Sequence, residues 1–351
     1  MSRYLHHPKG LIHVFGHRSA RRARVGTLTA AVLAVALVGC EGGGDSSEGS
    51  GAAGKTGPET STLKIGVIPI AGVTPIFAAQ KLGYFQEEGL TVTLETSSGG
   101  AASLPLVAQG GLQISNAPPV SVVLANTQRF DFAMLGPSLD GEATSPGQTA
   151  VLASKSSGIT KLSDLQGKKV AVNTINSVNW LYNRALLEKA GVDLKTVTYL
   201  EVPFPSMIDA LTNGSVDAID VPQPFFFIAE QTGKVLTLGY TFSDVQPSVP
   251  ITAYAATQDF VDDNPRTIAA FERAMTRAVE YMRANESEAK KLVAEYTGAK
   301  PELVAQIPLN KWSTELSVEG IQKTADLMRK EGLIKEEVDV KDFIPQIDAK
   351  R

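Results

Sequence analysis

Short apolar runs alternate with helix-spaced apolar positions between residues 62 and 220. The runs have the length and composition of β-strands, and they lie at 63–68, 92–95, 112–115, 130–135, 169–172, 197–200 and 216–219. Apolar residues at helical spacing follow most of these runs, at 76–82, 101–109, 119–127, 178–190 and 205–212. Strands that alternate with helices over short loops predict an α/β fold with mostly parallel sheets.

Two further apolar segments, 149–154 and 251–257, bracket the second half of this pattern. We interpret them as the two crossings of a hinge that joins two lobes. Lobe 2 is then a continuous insert, 153–248. Lobe 1 is discontinuous and comprises 62–150 plus 251–351.

Helices are predicted for the C-terminal part of lobe 1. Asn264 and Pro265 combine a helix cap with a proline at the first helical position. The residues that follow place an apolar stripe on one helix face, at Ile268, Phe271, Met275, Ala278 and Met282. Such a stripe is typical of a hydrophobic core.

The first 61 residues have a different character. An apolar run, 25–38, follows a basic cluster and precedes Cys40, the only cysteine of the chain, after which the sequence is rich in Gly, Ser and acidic residues. Fourteen apolar residues are too few to span a bilayer, which needs about 20. This order predicts a signal peptide over 1–39 and a flexible tether over 40–61. It resembles a bacterial lipoprotein signal, which implies a lipid anchor on Cys40 and a location outside the cytoplasm.

Charge and composition exclude several classes of function. The chain has 33 basic and 37 acidic residues, but the first 39 residues contain six of the basic ones and all four histidines. The rest of the chain has 27 basic and 37 acidic residues, and its net charge of −10 argues against nucleic acid as a partner. Without histidine or a free cysteine, Ser–His–Asp and Cys–His catalysis and metal sites built from these residues are excluded. We therefore expect no enzyme, no cofactor and no metal.

Several longer segments resemble the extracytoplasmic substrate-binding proteins of ABC importers. They are LKIGV (63–67), AQKLGYFQEEGL (79–90), LSDLQGKKVAV (162–172), DALTNGSVDA (209–218) and YAATQDFVDDNP (254–265). The branch they resemble binds nitrate, sulfonates and taurine, with binders of thiamine-pyrimidine precursors beside it. The resemblance implies the two-lobed type II periplasmic-binding-protein fold with two hinge crossings. It also implies a small-molecule ligand and an ABC permease with its ATPase as partners.

Four loops are predicted to meet in the cleft between the lobes, where the carboxyl ends of strands face helix N-termini. A helix N-terminus carries about half a positive charge and unpaired N–H groups, so it can hold a sulfonate, nitrate or carboxylate without a basic residue. The alternative for each loop is ordinary capping and turn chemistry. The candidate binding residues in these loops are Gly72, Val73, Thr74, Ser98, Gly99, Asn116, Ala117, Asn173, Thr174, Asn176 and Ser177.

Three further residues are candidates for the cleft. Gln223 stands where similar proteins often have an acidic residue, and an amide suits a neutral or anionic group better than the ammonium group of taurine. Trp180 and Phe204 are candidates for the wall of the cleft, because binding pockets favour aromatic lining. Burial in the core is the alternative for both. Asp220 is interpreted either as a charge near the site or as a local cap.

The predicted function is that of a lipid-anchored solute-binding protein that closes on a small anion and delivers it to the permease. A neutral planar ligand such as a pyrimidine precursor of thiamine is the alternative ligand class. A ligand sensor that transports nothing, and an enzyme that uses Asp220, Asp140 or Glu142, are the alternative roles. We expect a monomer.

Overall fold

The computed structural model describes residues 57–345, so the predicted signal peptide, Cys40 and most of the predicted tether lie outside the described residues. The strands are Thr62–Val67 (β1), Thr91–Thr96 (β2), Ile114–Asn116 (β3), Phe132–Asp140 (β4), Thr149–Ser154 (β5), Lys169–Val172 (β6), Thr198–Glu201 (β7), Ala218–Pro222 (β8), Val235–Tyr240 (β9), Pro250–Thr257 (β10) and Trp312–Ser313 (β11). The helices are Thr74–Lys81 (α1), Tyr84–Glu87 (α2), Gly100–Ala108 (α3), Pro119–Thr127 (α4), Val178–Lys189 (α5), Phe204–Thr212 (α6), Phe225–Gln231 (α7), Gln258–Asp263 (α8), Pro265–Ala284 (α9), Glu286–Thr297 (α10), Pro301–Val304 (α11) and Val318–Lys330 (α12).

The strands form two sheets, and both are flanked by helices. The first sheet has six strands in the order β11-β4-β10-β3-β1-β2, and the second has five in the order β7-β6-β8-β5-β9. Each sheet is mixed rather than mostly parallel. The pairs β1–β2, β1–β3, β6–β7 and β6–β8 are parallel, whereas the strands beside the crossings, β4, β5, β9 and β10, pair antiparallel. The α/β class is confirmed.

The chain passes from the first sheet to the second over residues 141–148 and returns over 241–249. The two apolar segments interpreted as crossings are instead the strands β5 and β10, which directly follow these connections. Both are interior strands and are buried along almost their whole length. Interior strands are covered on both faces, which explains their continuous apolar character.

Helix α9 carries the predicted apolar stripe. Ile268, Phe271 and Met275 are fully buried in it, and Phe271 stacks on Phe85 of α2 at 6.0 Å between ring centroids. The N-terminus of α9 is capped from a distance, because Glu59 accepts hydrogen bonds from the backbone N–H groups of Arg266 (3.2 Å) and Thr267 (2.9 Å). The last residues of the predicted tether therefore pack against the folded part.

The last long helix joins the two halves of the structure. Helix α12 packs against α4, which belongs to the first sheet, and it also contacts α5 of the second. The hydroxyl of Tyr182 in α5 lies 2.8 Å from the hydroxyl of Thr324 in α12. Within 57–345, no helix combines the length and apolarity that a membrane crossing requires.

Candidate functional site

A narrow cavity of about 40 Å³ lies between the two sheets. One water molecule needs about 10–15 Å³ of such space, so the cavity has room for a few water-sized groups. None of the residues that line it carries a charge. They are Ile68, Ile70, Gly72, Gly99, Gly100, Asn116, Pro118, Ser121, Leu139, Gln148, Thr149, Asn173, Ser177, Val178, Asn179, Phe204, Pro222, Gln223, Ile251, Thr252 and Asn310.

Several helix N-termini converge on this cavity. Helices α3 and α4 reach it from the first sheet, and α5 and α6 reach it from the second. The first N–H groups of α3 (Gly100 and Ala101) and of α5 (Val178 and Asn179) donate no hydrogen bond within the described residues. Unpaired N–H groups together with the positive ends of helix dipoles favour a negatively charged or acceptor-rich ligand.

Two glycines allow α3 to begin so close to its neighbours. Gly99 has a φ of +135°, which lies outside the usual range of other residues. A Cβ atom at Gly100 would lie 2.9 Å from Ser121 Oγ and 3.1 Å from the Cα atom of Ala117. The glycines therefore bring the first turn of α3 against the start of α4 and leave its N–H groups open.

Two hydrogen bonds cross the cleft directly. Asn173 Nδ2, after β6, donates to the carbonyl oxygen of Ser98 at 3.1 Å. The backbone N–H of Ala71 donates to the carbonyl oxygen of Gln223 at 3.2 Å. Ser177 supports the first of these bonds, because its hydroxyl donates to Asn173 Oδ1 (3.1 Å) and caps α5 by accepting from Trp180 N–H (3.2 Å). Capping and cleft contacts are thus made by the same residues.

Gln223 lines the cavity, and its side-chain oxygen has no hydrogen-bond partner among the described residues. The residue is only 3% exposed, and no donor among the described residues reaches Oε1. Its backbone is held, because the N–H donates to the carbonyl oxygen of Gln148 at 2.8 Å. Buried amides are normally hydrogen-bonded, so an unpaired one at the cavity wall is a candidate partner for a ligand.

The structure brings half of the candidate residues from the sequence to the cavity. They are Gly72, Gly99, Asn116, Asn173, Ser177, Phe204 and Gln223. Val73 and Ala117 lie in the hydrophobic core instead, and the hydroxyl of Thr74 donates to the carbonyl oxygen of Ala71 at 2.9 Å.

The other four candidates lie outside the cavity. Ser98 lines a neighbouring apolar recess, and Asn176 lines a groove between α3 and α4. Thr174 has a buried hydroxyl oxygen without a described partner. Trp180 points away from the cavity: it packs edge-on against Tyr199 at 6.1 Å, and the Arg184 guanidinium lies 4.7 Å above its ring.

Most of the folded part of the chain matches a known protein family. Residues 71–289, more than half of the chain, match the family described as "NMT1/THI5 like". The chain belongs to this family.

Proteins that are similar to this chain in sequence or in structure include several that are named as binding proteins. The putative aliphatic sulfonates-binding protein of Bacillus subtilis is 24% identical over 314 residues, which cover 86% of this chain and 92% of the relative. The alkanesulfonate-binding protein SsuA of Xanthomonas axonopodis, solved bound to MOPS, has a TM-score of 0.69 at 18% identity and covers 82% of this chain and 99% of its own. The nitrate-binding protein NrtA of Synechocystis has a TM-score of 0.68 at 16% identity, and the match covers 84% of this chain and 88% of NrtA. These solved structures establish the periplasmic-binding-protein fold for this member of the NMT1/THI5-like family.

Sequence reasoning missed several polar residues that line the cavity of this NMT1/THI5-like protein. They are Ser121, Gln148, Thr149, Asn179, Thr252 and Asn310. The sequence does indicate Asn179 as a cleft residue, because it follows the cap residue Ser177 by two positions and so lies in the first turn of α5. Gln148, by contrast, reaches the site from the first crossing, where its amide bonds Glu142 N–H (3.0 Å) and the carbonyl oxygen of Asp140 (2.9 Å). No strand–helix pattern marks such a position.

Asp220 does not line the cavity, but it accepts a hydrogen bond from Asn179, which does. It is fully buried in β8, and burial raises the pKa of its carboxyl to about 7, against the opposing effect of three hydrogen-bond donors. Asp140 and Glu142 lie near the first crossing, and burial raises the pKa of each. Within 57–345, no group of three or more His, Cys, Asp or Glu side chains is placed to hold a metal ion.

Proposed function

We propose that this protein is an extracytoplasmic solute-binding lipoprotein of an ABC importer that binds a small anion between its two sheets. The observation that supports this most directly is the charge-free cavity onto which several helix N-termini open. In such a site, backbone N–H groups and dipoles stabilise an anion without a counter-ion. Sulfonates and nitrate are the proposed ligand classes, since proteins named for binding them share this fold.

We also propose that ligand binding is coupled to closure of two lobes about the crossings 141–148 and 241–249. Closure would remove the anion from water, where its hydrogen bonds to the protein gain strength. The bonds from Asn173 to Ser98 and from Ala71 to Gln223 connect the two sides and suit a closed state. The closed form is then the form that the permease recognises, and the ligand is released chemically unchanged.

A neutral planar ligand is the second candidate. Phe204 lines the cavity together with the two amide residues Asn179 and Gln223. An aromatic face with amide edges suits a heterocycle that has both donors and acceptors. This ligand class does not need the helix N-termini, so a competition between the two classes separates the proposals.

A thermal-shift screen of the purified protein tests the ligand class. A ligand at 100 times its dissociation constant stabilises the folded state by about 2.7 kcal/mol. We expect stabilisation by nitrate or by short alkanesulfonates, and none by 4-amino-5-hydroxymethyl-2-methylpyrimidine. Asn173→Ala should weaken binding, whereas Asn285→Ala, at an exposed position directly after α9, serves as the control. Stabilisation by the pyrimidine alone would replace the anion proposal with the second candidate.

Lipid anchoring and transport need separate tests. Cys40→Ser should move the protein from the membrane fraction to the soluble extracytoplasmic fraction, and an unchanged membrane fraction would contradict the anchor. Mass spectrometry of a ligand recovered after incubation should show the compound unaltered. A product of altered mass would instead support an enzyme. Loss of ligand uptake on deletion of a neighbouring permease gene distinguishes a transporter component from a sensor.

A further inference from the structure

A buried carboxylate lies directly behind the wall of the cavity. Both oxygens of Asp220 are occupied, and every contact comes from a donor. Asn179 Nδ2 lies 3.1 Å from Oδ1, Asn183 Nδ2 lies 2.9 Å from Oδ2, and the hydroxyl of Thr241 lies 3.0 Å from both oxygens. Asp220 therefore ties β8 to the first half of α5 and to the start of the return crossing.

Asn179 connects this carboxylate to the cavity, which it lines from the first turn of α5. An ionised carboxylate only accepts hydrogen bonds, so the amide of Asn179 must turn its nitrogen toward Asp220. Its oxygen, Oδ1, is then turned away from Asp220. No donor among residues 57–345 reaches this oxygen, and the oxygen is not completely buried. Because Asn179 lines the cavity while its nitrogen is held by Asp220, its oxygen is the atom of the amide that is available to a ligand.

The second amide that contacts Asp220 has the same orientation as Asn179. Asn183 turns its nitrogen toward Asp220 as well, and its Oδ1 accepts from the hydroxyl of Tyr199 at 2.8 Å. Tyr199 is the titratable group that faces this network from β7, and Arg184 and Glu331 lie beyond it. Because every neighbour of Asp220 donates to it, the ionised carboxylate fixes the orientation of both amides.

We propose that Asp220 is a positioning residue that fixes the Asn179 acceptor toward the cavity, so that the site prefers an anion carrying an uncharged N–H or O–H donor. This inference rests on the proposed function. The anionic end of the ligand meets the N–H groups of α3 and α5, and its donor meets Asn179 Oδ1. A site built to pair with a ligand donor rejects the analogue that lacks it, because a buried acceptor is then left unpaired.

Two sulfonates of nearly equal size test this preference: 2-hydroxyethanesulfonate has a hydroxyl donor, and ethanesulfonate has none. At pH 8, calorimetry on the wild-type protein should give at least tenfold tighter binding of the hydroxylated compound. In Asp220→Asn the new amide offers both a donor and an acceptor, so Asn179 can turn either way and the ratio should fall below about threefold. Asp217→Asn makes the same chemical change three residues earlier, where the side chain bonds only Lys169 N–H among the described residues, and should keep the wild-type ratio.

The pH dependence of the wild-type protein gives a readout that does not depend on the folding of a variant. Burial raises the pKa of Asp220 to about 7, so the carboxyl gains its own O–H donor as the pH falls from 8 to 6. The preference for 2-hydroxyethanesulfonate should decrease over this range in the wild type and stay constant in Asp220→Asn. A pH-independent ratio in the wild type, together with an unchanged ratio in Asp220→Asn, overturns the role of Asp220.

The outcomes also separate this inference from the proposed function. Equal affinity of the wild type for the two sulfonates overturns the donor preference while anion binding stands. A preference that survives unchanged in Asp220→Asn overturns the positioning role alone. Failure of the wild type to bind either sulfonate or nitrate removes the proposed function, and this inference with it.

Discussion

Asp220 should make the protein less stable as the pH rises through the neutral range. Burial raises the pKa of its carboxyl from 3.8 to about 7 in the folded state, and the hydrogen bonds from Asn179, Asn183 and Thr241 offset only part of this effect. In the unfolded chain the pKa returns to about 3.9. Between these two values the folded protein binds one proton more than the unfolded chain, so the free energy of unfolding falls with increasing pH.

The size of the effect follows from this single proton. A difference of one bound proton changes the free energy of unfolding by about 1.4 kcal/mol per pH unit. From pH 5 to pH 7, Asp220 should therefore cost the folded state about 2 to 3 kcal/mol. Asp220→Asn removes the titration and keeps the side-chain volume. Urea unfolding at pH 5, 6, 7 and 8 is followed by tryptophan fluorescence. Between pH 5 and pH 7, the free energy of unfolding of the variant should rise by this amount relative to that of the wild type.

A second buried carboxyl provides an internal check. Burial raises the pKa of Glu272 to about 7, although its carboxylate accepts a hydrogen bond from Gly136 N–H at 3.3 Å. Glu272→Gln should flatten the pH dependence in the same direction, and the double variant should combine both changes because the sites share no partner. Wild-type and Asp220→Asn curves that run parallel from pH 5 to pH 8 would refute the reasoning, since the buried carboxyl would then ionise as it does in the unfolded chain.

Three substitutions test the geometry of the cavity. Gln223→Glu places a carboxylate beside the ligand, and calorimetry should show weaker binding of ethanesulfonate and relatively stronger binding of taurine; unchanged selectivity would remove the amide from the site. Gly100→Ala forces a methyl group to within 2.9 Å of Ser121 Oγ and 3.1 Å of the Ala117 Cα atom, so chemical unfolding should reveal a loss of about 1–3 kcal/mol together with weaker anion binding. Wild-type stability and affinity in that variant would show that the first turn of α3 can shift freely. Trp180→Ala should lower stability by about 2 kcal/mol, because the ring packs on Tyr199 and beneath Arg184, and should leave affinity within threefold of the wild type. A large loss of affinity at full stability would place Trp180 in the binding site after all.

Much of the fold could be predicted because local signals and tertiary structure agree. Helix α4 begins at Pro119 and α9 at Pro265, as proline at the first helical position indicates. The local pattern predicts no element over 225–240, although this segment forms α7 and β9. Three consecutive phenylalanines have the composition of a strand or of a cavity wall, yet they form a helix that buries Phe225 and Phe226. Tertiary burial, rather than local propensity, determines the conformation of this segment.

The loops of the site could be located from the sequence, but the inward-facing residues within them could not all be chosen. The strand–helix pattern places 97–100 and 173–177 at the cleft, and in the structure residues of both loops line the cavity. Which side chain points inward depends on helix phase. Successive helical residues differ by about 100° in direction, so Asn179 faces the cavity while Trp180, one position later, turns toward Tyr199.

The role of Asp220 could not be deduced from sequence at all, and the reason is general. An aspartate just before Val221–Pro222 has the local features of a cap or of an exposed loop carboxylate. Its strand is buried on both faces because β8 lies between β6 and β5, so no alternation of apolar and polar residues marks the inward side. The donors that make burial tolerable come from α5 and from the return crossing, 37 to 41 positions before it and 21 after it. Only the assembled fold shows that this carboxylate is surrounded by donors. Because these donors include Asn179, the buried carboxylate can orient an amide that lines the cavity.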